Sequence, residues 1–126
     1  MKVMVVDDER DVELLFRQHF RKEIRQQQID FCFALSGEQA LQQLHAMRQP
    51  PAVVLILSDI NMPGMNGLQL LKAVKQDFPG IKVALITAYS NQFYEDAMES
   101  GADNYYTKPL DFLQLKNELF TGAVNG

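Results

Sequence analysis

The 126-residue sequence predicts an α/β fold, a doubly wound parallel β-sheet with helices on both faces. Two observations predict it. Short apolar runs alternate with stretches of helical periodicity, strand then helix, five times over. The central run, AVVLIL at 52–57, is apolar throughout, as suits a strand covered on both faces. Repeated strand-then-helix order also implies right-handed crossovers between parallel strands.

The first strand is KVMVV at 2–6, rich in β-branched valine. Val12, Leu15, Phe16 and Phe20 then recur at helix spacing. RKEIR at 21–25 is mixed in sign and reads as a solvated helix face. DFCFAL at 30–35 is the second strand. Ser36 with Gln39 has the pattern of a capping box and opens a helix bearing Ala40, Leu41, Leu44 and Met47. Pro50-Pro51 stops it, and AVVLIL follows as the third strand. Leu71, Val74 and Phe78 mark the third helix, which ends at Pro79-Gly80. KVALIT at 82–87 is the fourth strand. Ser90 is the expected N-cap of the fourth helix, whose inward residues are Phe93, Ala97 and Met98 and whose stop is Gly101. NYY at 104–106 is the fifth strand. Asp111 with Gln114 opens the fifth helix, bearing Phe112, Leu115 and Leu119. Residues 1–121 are expected to form one domain, with 122–126 as a tail or the start of a linker.

Composition narrows the function. With 47% apolar and 22% charged residues the chain should be globular and soluble. A net charge of −4 argues against direct binding to a nucleic-acid backbone. No apolar run approaches the roughly 20 residues that span a bilayer, so membrane insertion is not expected. MKVMVV runs into DDERD too soon for a signal peptide. The lone Cys32 cannot form an internal disulfide, which fits a reducing cytoplasm; it reads as a small buried residue. His19 and His45 read as ordinary helix positions.

In a doubly wound sheet, ligands bind beyond the carboxyl ends of the strands. There the first strand offers Asp7, Asp8 and Glu9, the third Asp59, the fourth Thr87, and the fifth Lys108 and Pro109. Strands one and three are neighbours at the switch point, and adjacent strands lie about 4.8 Å apart. Asp7, Asp8 and Asp59 should therefore crowd together. Such a cluster takes up protons or holds a cation, and a hard divalent ion such as Mg²⁺ suits oxygen ligands. Lys108 adds an ammonium and Thr87 a hydroxyl, which completes a site for phosphoryl oxygens. Asp59 is left as the nucleophile that becomes an aspartyl phosphate. Alone, an Asp-Asp pair reads as a helix cap, and a Lys-Pro or a strand-end Thr is commonplace. Their convergence on one sheet edge carries the inference.

VVDDE at 5–9, SDINMPGMNG at 58–67, ITA at 86–88, SGAD at 100–103 and YYTKP at 105–109 together resemble the receiver (response-regulator) domain of two-component signalling. The resemblance covers essentially the whole chain. It implies strand order 2-1-3-4-5 and five helices in a flavodoxin-like three-layer sandwich. It also implies Asp59 as phospho-acceptor, Asp8 as a direct Mg²⁺ ligand, Asp7 as a ligand through water, and Asn61 coordinating by its backbone carbonyl. Lys108 would pair with the phosphoryl group. Thr87 and Tyr105 would be the switch residues. Pro63 and Gly67 would shape the loop after the acceptor, and Pro109 would follow a cis peptide bond that orients Lys108. Asn61 and Tyr89 would flank the path of the hydrolytic water with opposing effects.

The implied partner is a sensor histidine kinase or histidine phosphotransfer protein. Such a receiver would catalyse only its own phosphorylation and dephosphorylation. Its output would be the face of helix four, strand five and helix five, read by an unidentified partner or effector domain, with homodimerisation through that face open. The chain would be a stand-alone receiver or one cut from a longer protein. The alternative is a receiver-like interaction module that works without phosphorylation. A flavodoxin-like electron carrier would need a Ser/Thr/Gly-rich loop where DDERD stands. An aspartate-based phosphohydrolase would carry its nucleophile on strand one, in D-x-D spacing.

Overall fold

The computed structural model describes residues 1–88 and 92–121. The elements run β1 (Lys2–Val6), α1 (Asp11–His19), α2 (Arg21–Arg25), β2 (Asp30–Ala34), α3 (Gly37–Ala46), β3 (Val53–Asp59), α4 (Gly67–Asp77), β4 (Lys82–Thr87), α5 (Tyr94–Glu99), β5 (Asn104–Thr107) and α6 (Phe112–Thr121). All strand pairs are parallel and the order is β2-β1-β3-β4-β5, as expected.

Alternation along each strand divides the core in two. Met4, Val6, Ile56, Val83 and Leu85 face the layer of α3, α4 and α5, where Leu44, Leu71, Val74 and Ala97 meet them. Val3, Val5, Leu55, Leu57 and Ile86 face the layer of α1, α2 and α6, where Phe16, Phe20, Leu115 and Leu119 meet them. Both layers are apolar because a sheet wound on both sides leaves its central strands no solvated face. A fully buried leucine such as Leu57 or Leu71 contributes about 1.5–3 kcal/mol.

The structure has six helices among the described residues where the sequence predicts five, because the first is divided at Phe20. Phe20 sits at φ −107°, ψ 20°, yet its N–H still donates to Phe16 O and its carbonyl still accepts from Ile24 N–H. Seating its fully buried ring against Phe16 and Phe31 takes one residue out of helical dihedrals without breaking the ladder. The helices predicted as four and five are therefore α5 and α6. Leu15 and Met98, expected on inward faces, point outward, since Phe16 and Ala97 already fill those positions. Cys32 is half-buried rather than buried, because β2 is an edge strand.

Caps follow the sequence signals closely. Ser36 accepts from Gln39 N–H, although the Gln39 side chain reaches Leu35 N–H rather than the cap's own. Asp111 accepts from Gln114 N–H. Gly101 ends α5 at φ +96°, a conformation that favours glycine. Asn66 and Gln69 form a complete capping box at the start of α4. Among the described residues no helix is long and apolar enough to cross a membrane.

Candidate functional site

Strand register brings the acids together. Val6 lies opposite Ser58, so Asp7 and Asp59 leave adjacent strands side by side. Asp7 N–H donates to Ala34 O, which carries the ladder one residue past β1 and fixes the start of the turn. Asp7 is 8% exposed and Asp59 6%, whereas Asp8 faces solvent. Ligand oxygens of Asp7, Asp8 and Asp59 all lie within 4.8 Å of one another.

Such crowding has electrostatic consequences. Burial pushes the Asp7 carboxyl above the usual aspartate range. The Glu9 backbone N–H, donating to its Oδ1 at 2.9 Å, opposes this, and the charge on Asp59 adds to it. Lys108 Nζ stands 3.2 Å from Asp59 Oδ2 and 3.7 Å from Asp7 Oδ2. Burial works against the ammonium, but Asp59 and Asp7 outweigh it and raise its pKa. One ammonium facing three carboxylates leaves a deficit of positive charge. An all-oxygen cluster with that deficit fits a hard divalent cation, Mg²⁺ above others.

The loop after Asp59 is built tightly around it. Asn61 N–H lies 3.4 Å from Asp59 Oδ1. Gly67 N–H donates to Ile60 O at 2.9 Å and closes the loop at its base. A Cβ on Gly67 would stand 2.4 Å from the Asp59 carbonyl oxygen, so only glycine admits this approach. Pro63 is exposed, while Met62 turns inward. Positive φ falls on Gly64, at +74°, rather than on Gly67.

Thr87 ends β4 fully buried, and its carbonyl accepts from Lys108 N–H at 2.8 Å. The Lys108–Pro109 peptide is cis, as expected; Gln49–Pro50 is cis as well. Tyr105 lies away from the acids, half-buried on the α5 side, edge-on to Tyr94 with ring centroids 5.4 Å apart. Its hydroxyl is buried with no hydrogen-bond partner among the described residues. Phe93 packs on the core and Tyr94 is exposed, so one of that pair is core as expected. The structure thus gathers Asp7, Asp8, Asp59, Asn61 and Lys108, with Thr87 beside them at the strand end and Tyr105 apart. Tyr89, Ser90 and the tail 122–126 lie outside the described residues.

Two features escaped the sequence reading. The Asn66–Gln69 capping box was legible as N-x-x-Q ahead of an apolar run. Glu38, whose carboxylate accepts from Met65 N–H at 3.2 Å across 27 residues, left no local signal.

The family described as the response regulator receiver domain matches residues 3–120. Sporulation initiation phosphotransferase F of Bacillus subtilis is 31% identical over 117 residues, covering 92% of this chain and 88% of that protein. Transcriptional regulatory protein ZraR of Escherichia coli is 39% identical over 87 residues, 68% of this chain and only 19% of that protein. Among solved structures, a receiver domain protein from Clostridium thermocellum superposes with TM-score 0.83 at 22% identity, covering 98% of this chain and 94% of that one, a likeness of fold. Response regulator protein TrrA from Thermotoga maritima, solved in complex with Mg²⁺-BeF, superposes with TM-score 0.75 at 27% identity, covering 95% and 96%.

Proposed function

The chain belongs to the response regulator receiver domain family, and from that premise we propose that Asp59 takes a phosphoryl group from a phosphohistidine on a sensor kinase or histidine phosphotransfer protein. It is a phosphorylation-dependent signalling switch whose cofactor is Mg²⁺ and whose partner is a two-component protein. The observation that carries the reading is the cluster of Asp7, Asp8 and Asp59 with Lys108 against it.

An Asp59 carboxylate oxygen forms the bond to phosphorus as the P–N bond to the donor imidazole breaks. The departing imidazole nitrogen takes a proton, and an acyl phosphate remains on Asp59. Asp7, Asp8, the Asp59 side chain and the Asn61 carbonyl would hold Mg²⁺. When bound, it supplies positive charge to the phosphoryl oxygens and orients them. Lys108 neutralises a second oxygen, a role that its present bond to Asp59 Oδ2 supports. The TrrA complex with Mg²⁺-BeF supports the same use of the site here. Position also supports it: the nucleophile is on β3, not β1 where an aspartate-based phosphohydrolase would carry it.

An apolar groove between α1 and α6 opens beside Asp7 and Lys108, lined by Leu15, Phe16, His19, Leu110 and Phe112. Leu113 lines it too and stands exposed. Apolar surface next to the acceptor supports docking of a donor protein rather than chemistry on free small phosphates alone.

Output would run through Thr87 and Tyr105. Phosphorylation brings acceptor oxygens that draw the Thr87 hydroxyl inward, and Tyr105 repacks against the space this opens. Among the described residues the buried Tyr105 hydroxyl has no hydrogen-bond partner, which supports a placement able to change. The α5–β5–α6 face would then present a changed surface to its partner or effector. Replacing Asp59 with Asn and incubating with Mg²⁺ and acetyl phosphate tests the reading. The wild type should be labelled and Asp59→Asn should not; labelling of both would refute it.

A further inference from the structure

Glu38 lies on the first turn of α3, outside the acidic cluster, and nothing in the phosphoryl chemistry uses it. Its Oε2 accepts from Met65 N–H at 3.2 Å, a bond between the β2–α3 segment and the loop that follows Asp59. The surrounding residues are shaped for that bond. Gly64 takes φ +74°, and a Cβ there would stand 2.7 Å from Glu38 Oε2. Gly37 is buried, and a Cβ on it would stand 2.9 Å from Cγ and Sδ of Met65, so its bare Cα leaves the slot that the Met65 side chain fills. Two glycines and one carboxylate therefore clasp a single residue of the loop.

The opposite end of the loop is already fixed. Gly67 N–H bonds to Ile60 O at its base, and Met62 is buried. Asn61, the residue proposed to offer a backbone carbonyl to Mg²⁺, is itself exposed on this loop. The tie at Met65 anchors the far end of the span that begins at Asn61, so losing it leaves that span held at its base alone. We propose that Glu38 is a positioning residue for the acceptor loop: by holding Met65 it keeps Asn61 in the arrangement that binds Mg²⁺. This rests on the receiver reading of the site. Ordering the loop beforehand spares the ion that cost, so affinity falls by whatever fraction of loops is out of place when the clasp is lost.

Wild type, Glu38→Ala and Glu38→Gln, each as the full chain, would be titrated with MgCl₂ by calorimetry without a phosphodonor. Exchange of the Met65 amide would be followed by NMR. Glu38→Ala should bind Mg²⁺ about three- to tenfold more weakly, the range expected from losing one hydrogen bond, and expose the Met65 amide to faster exchange. Glu38→Gln removes the charge but keeps an oxygen acceptor, and should stay within about twofold of wild type. Labelling of Glu38→Ala by acetyl phosphate should return to the wild-type rate at saturating Mg²⁺. Equal weakening in both variants would mean that only remote charge matters and would overturn the proposal. Unchanged Mg²⁺ affinity in Glu38→Ala would overturn it as well. Wild type that binds Mg²⁺ but is never labelled would count against the receiver reading instead, with the Met65 exchange still reporting on the clasp.

Discussion

The Lys108 ammonium sits nearer to Asp59 Oδ2, at 3.2 Å, than to Asp7 Oδ2, at 3.7 Å. It is the cation that already holds the proposed nucleophile, and it shares its carboxylates with the proposed metal site. Two jobs are therefore coupled through one side chain. As a counter-charge to phosphoryl oxygens it speeds transfer; as a competitor for the same carboxylates it opposes Mg²⁺.

Lys108→Ala separates the two. Labelling by acetyl phosphate at saturating Mg²⁺ should slow about 10²-fold, the scale for losing one preorganised donor. Mg²⁺ affinity, measured by calorimetry, should stay equal or rise, because a competing positive charge has gone. Weaker Mg²⁺ binding in the variant would contradict this assignment.

Gly67 tests the packing behind the acceptor. Its missing Cβ would meet the Asp59 carbonyl oxygen at 2.4 Å and Ile60 Cα at 2.8 Å, both backbone atoms that cannot step aside cheaply. Gly67→Ala should cost about 1–3 kcal/mol in urea unfolding and also slow labelling, since relief must move Asp59. Gly80, with nothing within 4 Å of a Cβ, supplies the control: Gly80→Ala should do neither.

Much of this arrangement was legible in the chain. Unbroken apolar runs gave the strands, and the acids placed just after them fell at one sheet edge because parallel strands all end there. Asp7, Asp59 and Lys108 were readable for that reason. The division of the first helix at Phe20 was not, because its cause is a ring seated against Phe31 of β2, a contact between segments that lies outside the helix's own period. Glu38 was invisible likewise: its partner is 27 residues away, and an exposed glutamate in a helix's first turn carries no mark of what it touches. Leu15 and Met98 fitted a helical period but lay just off the inward stripe.

On the other side of β5 from Tyr105, the Tyr106 hydroxyl donates to Glu118 Oε2, and Asn104 Nδ2 joins both. Burial and then the Glu118 carboxylate push the phenol well above its ordinary value of 10.0. The folded state therefore keeps this proton when the unfolded state has lost it. The resulting stability is fully present below about pH 10 and declines as pH rises from there toward the folded value. Tyr106→Phe should cost about 2 kcal/mol at neutral pH, the scale of a hydrogen bond to a charged group. Its deficit against wild type should narrow above about pH 10 in urea unfolding. A deficit that stays constant or widens there would contradict the assignment.

The most direct test of the whole account is where the phosphoryl group goes. Protein incubated with Mg²⁺ and acetyl phosphate would be reduced with borohydride, which converts an acyl phosphate on aspartate to homoserine, and then mapped by mass spectrometry. The account predicts conversion at residue 59 and nowhere else, lost when EDTA removes the metal. Conversion at Asp7 or Asp8, or undiminished conversion at Asp59 in EDTA, would contradict it.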